Sequence, residues 1–226
     1  MDLETRKERL DQRVNTAARR VNREPTEISL LAVSKKQAAE TIYSLAAQGQ
    51  QSFGENYLQE ALEKINQLAE LALEWHFIGQ IQRNKTAAIA ENFDWVQSID
   101  RLVIAERLSA QRPAKMEKLN VCIQVRMSEE HGKGGIAADE LLPLASSVGS
   151  LPGLVLRGLM AIPENTSDAE VQRASFHRMH DLFDSLRSQH ASVDTLSMGM
   201  SGDFELAIEE GSTMIRVGTA LFGPRS

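Results

Sequence analysis

The sequence predicts an α/β protein, a single (β/α)8 TIM barrel preceded by an extra helix, and three observations predict it. Eight stretches of β-forming, largely apolar residues recur along the 226-residue chain. Helical patterns separate them, and several of the stretches are apolar on both faces, as buried parallel strands covered by helices would be. The unusual polar and glycine-rich residues follow the C-terminal ends of these strands, where such barrels carry their sites. An open doubly wound sheet is the alternative, but no G-x-G-x-x-G follows the first strand.

Taken in order, Leu3, Leu10, Val14, Ala17 and Val21 recur at near-helical spacing and predict a leading amphipathic helix. "REPTE" breaks it, because a proline pushes its predecessor out of the helical region. Residues 1–27 are thus a helix and connection, and 28–226 the barrel, with no Pro/Gly/Ser-rich linker. Strands are predicted at 28–34, 51–54, 75–79, 94–99, 120–125, 154–159, 195–199 and 213–218. The clearest helices are 57–71, with Leu58, Leu62, Ile65 and Leu68 on one face, and 169–187, with Val171, Ala174, Met179, Leu182, Phe183 and Leu186. "QRPAKMEK" (111–118) reads as a surface loop.

A composition of 42% hydrophobic and 25% charged residues suits an ordinary globular chain, large enough for a core without disulfides. The net charge of -6 argues against a nucleic-acid partner, which usually meets a basic surface. Cys122 is the only cysteine, so a reducing compartment is expected, with this thiol a small buried hydrophobe. The first residues are too charged for a signal peptide, and no run approaches the roughly 18 apolar residues of a membrane span. A soluble cytoplasmic protein without membrane contact is the expectation.

Two loops after the last strands carry an anion-binding pattern. Gly199, Ser201 and Gly202 precede a helix-like stretch, and Gly218 and Thr219 follow the eighth strand. Glycines let backbone N–H groups approach an anion, and these are the usual phosphate positions of such barrels. At the first strand's end stand Lys35 and Lys36. A desolvated lysine amine forms Schiff bases with carbonyl ligands. Phosphate and lysine together point to pyridoxal 5′-phosphate, or to a phosphosugar in an aldolase-like reaction. Arg216, two residues before the proposed phosphate turn, favours pyridoxal 5′-phosphate, since it stands where it would meet a pyridine nitrogen. Arginine donates only, so that nitrogen stays unprotonated and a weak electron sink. Neighbouring strand residues point to opposite faces, so geometry alone leaves the choice between Lys35 and Lys36 open.

"AVSK" (32–35), "FGENYLQE" (53–60), "WHFIGQIQRNK" (75–85), "SIDR" (98–101), "GLMAI" (158–162), "SMGMSGDFELAI" (197–208) and "GSTMIRVGTALFG" (211–223) together resemble the YggS/PROSC family of pyridoxal phosphate homeostasis proteins. The resemblance runs from about residue 28 to 223. It implies a barrel like the N-terminal domain of alanine racemases. It implies the cofactor bound as a Schiff base on Lys35, phosphate contacts from Ser201, Gly218 and Thr219, Arg216 at the pyridine nitrogen and Asn56 near the ring. It further implies a role in intracellular vitamin B6 and amino-acid balance without established turnover, with apo forms of pyridoxal phosphate enzymes as recipients. One departure is Gln80, where the family often has proline.

The alternative reading is a fold-type III pyridoxal phosphate enzyme such as an amino-acid racemase. Against it, the chain stops at "FGPRS" after the eighth unit, where racemases continue into a domain that supplies a catalytic tyrosine and a dimer interface. Tyr43 and Tyr57 are the only tyrosines. A monomer is therefore expected, lacking a second base. Histidines 76, 131, 177 and 180 are not expected to bind metal: His177 and His180 decorate a helix face, and His76 holds a structural hydrogen bond. Trp75 and Trp95 are expected in the core or barrel wall, and "NTS" at 165–167 is a chance sequon.

Overall fold

The computed structural model describes residues 2–127, 134–162, 166 and 168–223. Eight strands, β1 (Ser29–Val33), β2 (Ser52–Glu55), β3 (Glu74–Phe77), β4 (Trp95–Ile99), β5 (Leu119–Arg126), β6 (Leu154–Ile162), β7 (Thr195–Ser197) and β8 (Met214–Val217), pair in parallel and close in sequence order. The ladder from β8 back to β1 sets Leu31 opposite Arg216. A helix follows each strand. After α1 (Leu3–Arg20), these are α2 (Ala39–Ala46), α3 (Leu58–Gln67), α4 (Thr86–Asn92), α5 (Leu102–Gln111), α6 (Leu141–Gly149), α7 (Ala169–Arg187), α8 (Phe204–Glu209) and α9 (Thr219–Phe222). The predicted barrel and leading helix are both present.

Strand alternation divides the sheet's side chains between two environments. Outward rows such as Leu30 and Ala32, Trp75 and Phe77, Leu196 and Met198, and Ile215 and Val217 pack under the helices in the main apolar core. The inward rows are different. Trp95, Cys122 and Met160 form a small apolar cluster of their own, beside buried His76, Gln97, Ser197 and Arg216. Burial pushes the Cys122 thiol up to about 12, so it is an inert packing group. A polar barrel interior requires complete hydrogen bonding, and this shapes the site above it.

Several predicted elements differ at their ends, β3 stopping at Phe77 and β6 running on to Ile162 among them, and two show the cause. The helix read as 57–71 stops at Gln67, because Leu68 (φ -111°, ψ 18°) leaves the helical region and the chain must turn back to enter β3. The seventh strand stops at Ser197, since Gly199 adopts φ +94° and lifts the following loop out of the ladder. There a Cβ would lie 2.6 Å from the Cβ of Ala207, so only glycine fits.

The helix α1 closes over the last βα units. Asp2 caps it by accepting from the Thr5 N–H at 2.9 Å. Its buried face carries Leu10, Val14, Ala17 and Ala18. Arg13 pairs with Glu205 and lies 4.5 Å over the Phe204 ring, and Arg6 donates to the Phe222 carbonyl at 2.7 Å. His131, Asn165 and Ser167 of the sequon, and the last three residues lie outside the described residues.

Candidate functional site

At the C-terminal mouth of the barrel lies a cavity of about 250 Å³. Lys35, Asn56, Ser201, Arg216, Gly218 and Thr219 all line it, joined by Gly202 and an apolar wall that includes Val33, Ile78 and Met160. Four different strands, β1, β2, β7 and β8, thus deliver the six residues named from the sequence to one place.

Register separates the two lysines. Leu31, Val33 and Lys35 occupy alternate positions of β1 and its extension, and Val33 and Lys35 share the cavity wall. Lys36 is exposed and adopts φ +63°, a left-handed turn whose N–H is taken by the Glu60 carboxylate. Ser34, on the opposite face from Lys35, is buried against α3.

Arg216 is 5% exposed. Its Nη1 donates to the Ser197 carbonyl at 2.6 Å and to the Ser197 Oγ at 2.8 Å, and its Nη2 donates to the Ala161 carbonyl at 2.7 Å. Arginine has five N–H groups, so these three bonds leave two uncommitted on a residue that lines the cavity. Burial lowers its pKa to about 10, still far above neutrality, so it enters the site as a cation.

On the far side, the Ser201 hydroxyl accepts from the Ala220 N–H at 3.1 Å and ties the β7–α8 loop to the start of α9. Neither Gly202 nor Gly218 has a positive φ. A Cβ at Gly202 would meet nothing within 4 Å, and one at Gly218 only an ordinary contact with Val33 at 3.4 Å. The fold therefore has no steric need for glycine at either position.

Asn56 extends β2 into the mouth, and its Oδ1 is buried without a hydrogen-bond partner. A buried amide oxygen left so costs about 1–3 kcal/mol, which a ligand donor would offset. Gly79, after β3, is what lets Asn56 sit there: a Cβ at 79 would lie 2.1 Å from the Asn56 carbonyl oxygen. Gly79→Ala should displace this loop, lower stability by about 1–3 kcal/mol and raise the Kd for any ligand that uses Asn56. Thermal melts and binding titrations read both effects; unchanged melts would contradict the close approach.

With fold and cavity described, the relatives can be compared. A family model for the N-terminal domain of alanine racemase matches residues 6–226. The pyridoxal phosphate homeostasis protein of Pseudomonas aeruginosa is 54% identical over 213 residues, covering 94% of this chain and 91% of that protein. The chain belongs to the pyridoxal phosphate homeostasis protein family. The structure of PipY from Synechococcus elongatus with PLP bound matches at a TM-score of 0.82 and 36% identity, over 94% of this chain and 99% of that one. An alanine racemase from Corynebacterium glutamicum shares the fold at 19% identity and a TM-score of 0.67, over 95% of this chain and 60% of that one.

Two buried groups in this family member escaped the sequence reading. Lys64, on α3, donates to the Ser34 carbonyl at 2.8 Å, to Glu55 at 2.8 Å and to Glu60 at 2.6 Å. Ser34 Oγ donates to the same Glu55 oxygen at 2.6 Å. Burial raises the Glu55 pKa, with the Lys64 and Ser34 hydrogen bonds opposing it. The predicted apolar face, Leu58, Leu62, Ile65 and Leu68, gave no sign of it: the stripe that is buried is Ala61, Lys64 and Leu68, which places a lysine on the core face.

His76 is fully buried, hydrogen-bonded through Nε2 to Glu74 at 2.8 Å and through Nδ1 to Gln97 at 3.0 Å. Burial lowers its pKa below 6.5, outweighing Glu74, so it is neutral at neutral pH. Burial pushes the Glu74 carboxyl up, but hydrogen bonds from His76, Ser52 and Trp95, joined in acid by the His76 charge, bring it from 4.5 to about 2. A depressed carboxyl adds stability above its unfolded pKa and loses it as pH falls through the folded one. Glu74→Gln should therefore destabilise at pH 7, with the cost shrinking between pH 4.5 and about 2. Denaturation midpoints of both proteins across that window measure it; a pH-independent gap would refute the assignment. His177 and His180 lie on α7, paired with Glu210 and Asp184. Trp75 and Trp95 are buried, and no described helix is long and apolar enough to cross a membrane.

Proposed function

We propose that the protein holds pyridoxal 5′-phosphate in the barrel-mouth cavity and serves cytoplasmic vitamin B6 homeostasis as a monomeric carrier without turnover of its own. The observation that carries this is the single cavity that collects an amine, a buried guanidinium, and hydroxyl and glycine groups on two adjoining loops. The residues fit that cofactor: the Asn56 oxygen lacks a partner, and Gly202 offers open space beside backbone where phosphate would approach.

When bound, pyridoxal 5′-phosphate would supply an aldehyde able to condense with a primary amine, releasing water. Lys35 would provide that amine, and Ser201, Gly218 and Thr219 would hold the phosphate from the two loops. Arg216, a donor only, would favour an acceptor, an unprotonated ring nitrogen. Asn56 would offer its buried acceptor oxygen to the ring side. An unprotonated ring is a weak electron sink, which supports binding over catalysis. The two tyrosines support it as well: neither Tyr43 nor Tyr57 lines the Lys35 cavity, and both are more than half exposed. Apo forms of pyridoxal phosphate enzymes are the natural recipients.

Borohydride reduction of the native protein followed by peptide mapping tests the reading. A pyridoxyl adduct on Lys35 is expected. An adduct elsewhere, or none, would overturn the site, and robust steady-state turnover of a free amino acid would overturn the carrier role.

A further inference from the structure

A chain of hydrogen bonds crosses the barrel interior beneath the cavity. Arg216 Nη1 donates to Ser197 Oγ at 2.8 Å. Ser197 Oγ, having accepted from a cation, donates its own hydrogen to Gln97 Oε1 at 2.7 Å. Gln97 Nε2 donates to His76 Nδ1 at 3.0 Å and points its other hydrogen at Met214 Sδ at 3.1 Å. With Nδ1 accepting, the neutral ring carries its proton on Nε2, which donates to Glu74 Oε1 at 2.8 Å. The Glu74 carboxylate, 42% exposed at the opposite end of β3, also accepts from Ser52 at 2.8 Å and from Trp95 at 3.0 Å.

Every donor in this chain points the same way, from a cation in the cavity floor to an anion at the base of the barrel. Such a chain is polarised along its length, each bond strengthening the next. It does not serve as a proton wire. Arginine keeps its proton, and a glutamine amide does not relay one at ordinary cost. What remains for it is orientation. Arg216, Ser197, Gln97 and His76 are all buried, the last three at 3% exposure or less. Reversing any one link forces its neighbours to reverse or go unsatisfied.

We propose that Gln97 and His76, neither of which lines the cavity, are positioning residues that aim Arg216 and thereby set the protein's preference for a ligand ring bearing an acceptor nitrogen. The inference rests on the pyridoxal 5′-phosphate reading, but it concerns selectivity rather than capture. A lysine and a phosphate site alone would take any phosphorylated aromatic aldehyde. An arginine pinned by three bonds in the cavity lining, and able only to donate, favours one that accepts from it.

The test compares two ligands on the full chain: pyridoxal 5′-phosphate, and its analogue with the ring nitrogen replaced by C–H. Gln97→Met keeps volume and removes both polar ends. It should weaken pyridoxal 5′-phosphate about tenfold, the worth of one hydrogen bond to a charged group, while the carbon analogue changes little. In an Arg216→Gln background, Gln97→Met should add no further loss. Equal weakening of both ligands would show a merely structural role and overturn the proposal, as would full retention of selectivity.

A readout without ligand accompanies it. Ring nitrogen NMR of His76 in the unliganded protein should show the neutral Nε2–H tautomer, altered in Gln97→Met. An Nδ1–H tautomer would contradict the chain's direction and overturn the proposal. The two readings fail separately. If wild-type protein does not bind pyridoxal 5′-phosphate, the functional reading falls and the proposed selectivity falls with it, whatever the tautomer. If it binds and the Gln97 variant keeps its selectivity, only the positioning role falls.

Discussion

Lys35→Ala is expected to reduce the borohydride-trapped pyridoxyl adduct to background and to remove the visible absorption of the amine-linked cofactor, while Lys36→Ala keeps both. The asymmetry follows from register. The row Leu31, Val33, Lys35 faces the interior and shares the β1–β8 ladder with Arg216, so Lys35 and Arg216 meet in one cavity. Lys36 leaves that row through its left-handed turn and is exposed. An exposed charge near a binding site is worth at most about 1 kcal/mol, so Lys36→Ala should change the Kd by less than about fivefold. Lys35→Ala should still bind cofactor weakly through the phosphate loops, and competition by inorganic phosphate would show it. Retention of the adduct in Lys35→Ala, or its loss in Lys36→Ala, would reverse the assignment.

Much of this site was legible in the sequence because a parallel barrel imposes a rule that needs no contacts to apply. Strand runs can be found from composition, and whatever follows a strand arrives at the same mouth. That rule brought Lys35, Asn56, Ser201, Arg216, Gly218 and Thr219 to one cavity from positions as far apart as 35 and 219. The choice between Lys35 and Lys36 was not legible from alternation, because either phase of β1 reads as apolar; the "AVSK" resemblance pointed to Lys35, and the pairing with β8 gives the physical reason. The buried polar groups were hidden for another reason. Gln97 and Ser197 satisfy each other across the barrel, one hundred residues apart, and no local pattern announces a partner at that separation. Glu55 and Lys64 lie outside the barrel wall, between β2 and α3. There the apolar spacing of Leu58, Leu62, Ile65 and Leu68 left position 64 beside the predicted face, and a lysine at such a position reads as a solvated edge until its carboxylate partner is known.

That pair carries the largest stability effect expected in the molecule. The Lys64 side chain is 7% exposed and that of Glu55 fully buried, so removing the lysine strands a carboxylate with only the Ser34 hydroxyl beside it. Breaking a buried pair in this way costs about 3–5 kcal/mol, or a fall in Tm of roughly 6–20 °C at this chain length. Lys64→Met should show it in thermal melts. Adding Glu55→Leu should restore part of the loss, since an apolar pair of similar size is often close to neutral. Recovery should be incomplete, because the Ser34 carbonyl loses its Lys64 donor either way. The same contacts reach the site. Lys64 holds the backbone at Ser34, and Glu60, itself held by Lys64, takes the Lys36 N–H, so the chain is gripped on both sides of Lys35. The double variant, measured well below its melting point, should therefore bind pyridoxal 5′-phosphate more weakly than wild type even where its stability has recovered. Full recovery of both stability and affinity would mean that Lys64 serves the core alone. Recovery of stability without affinity would show that the buried pair is the clamp that aims the amine.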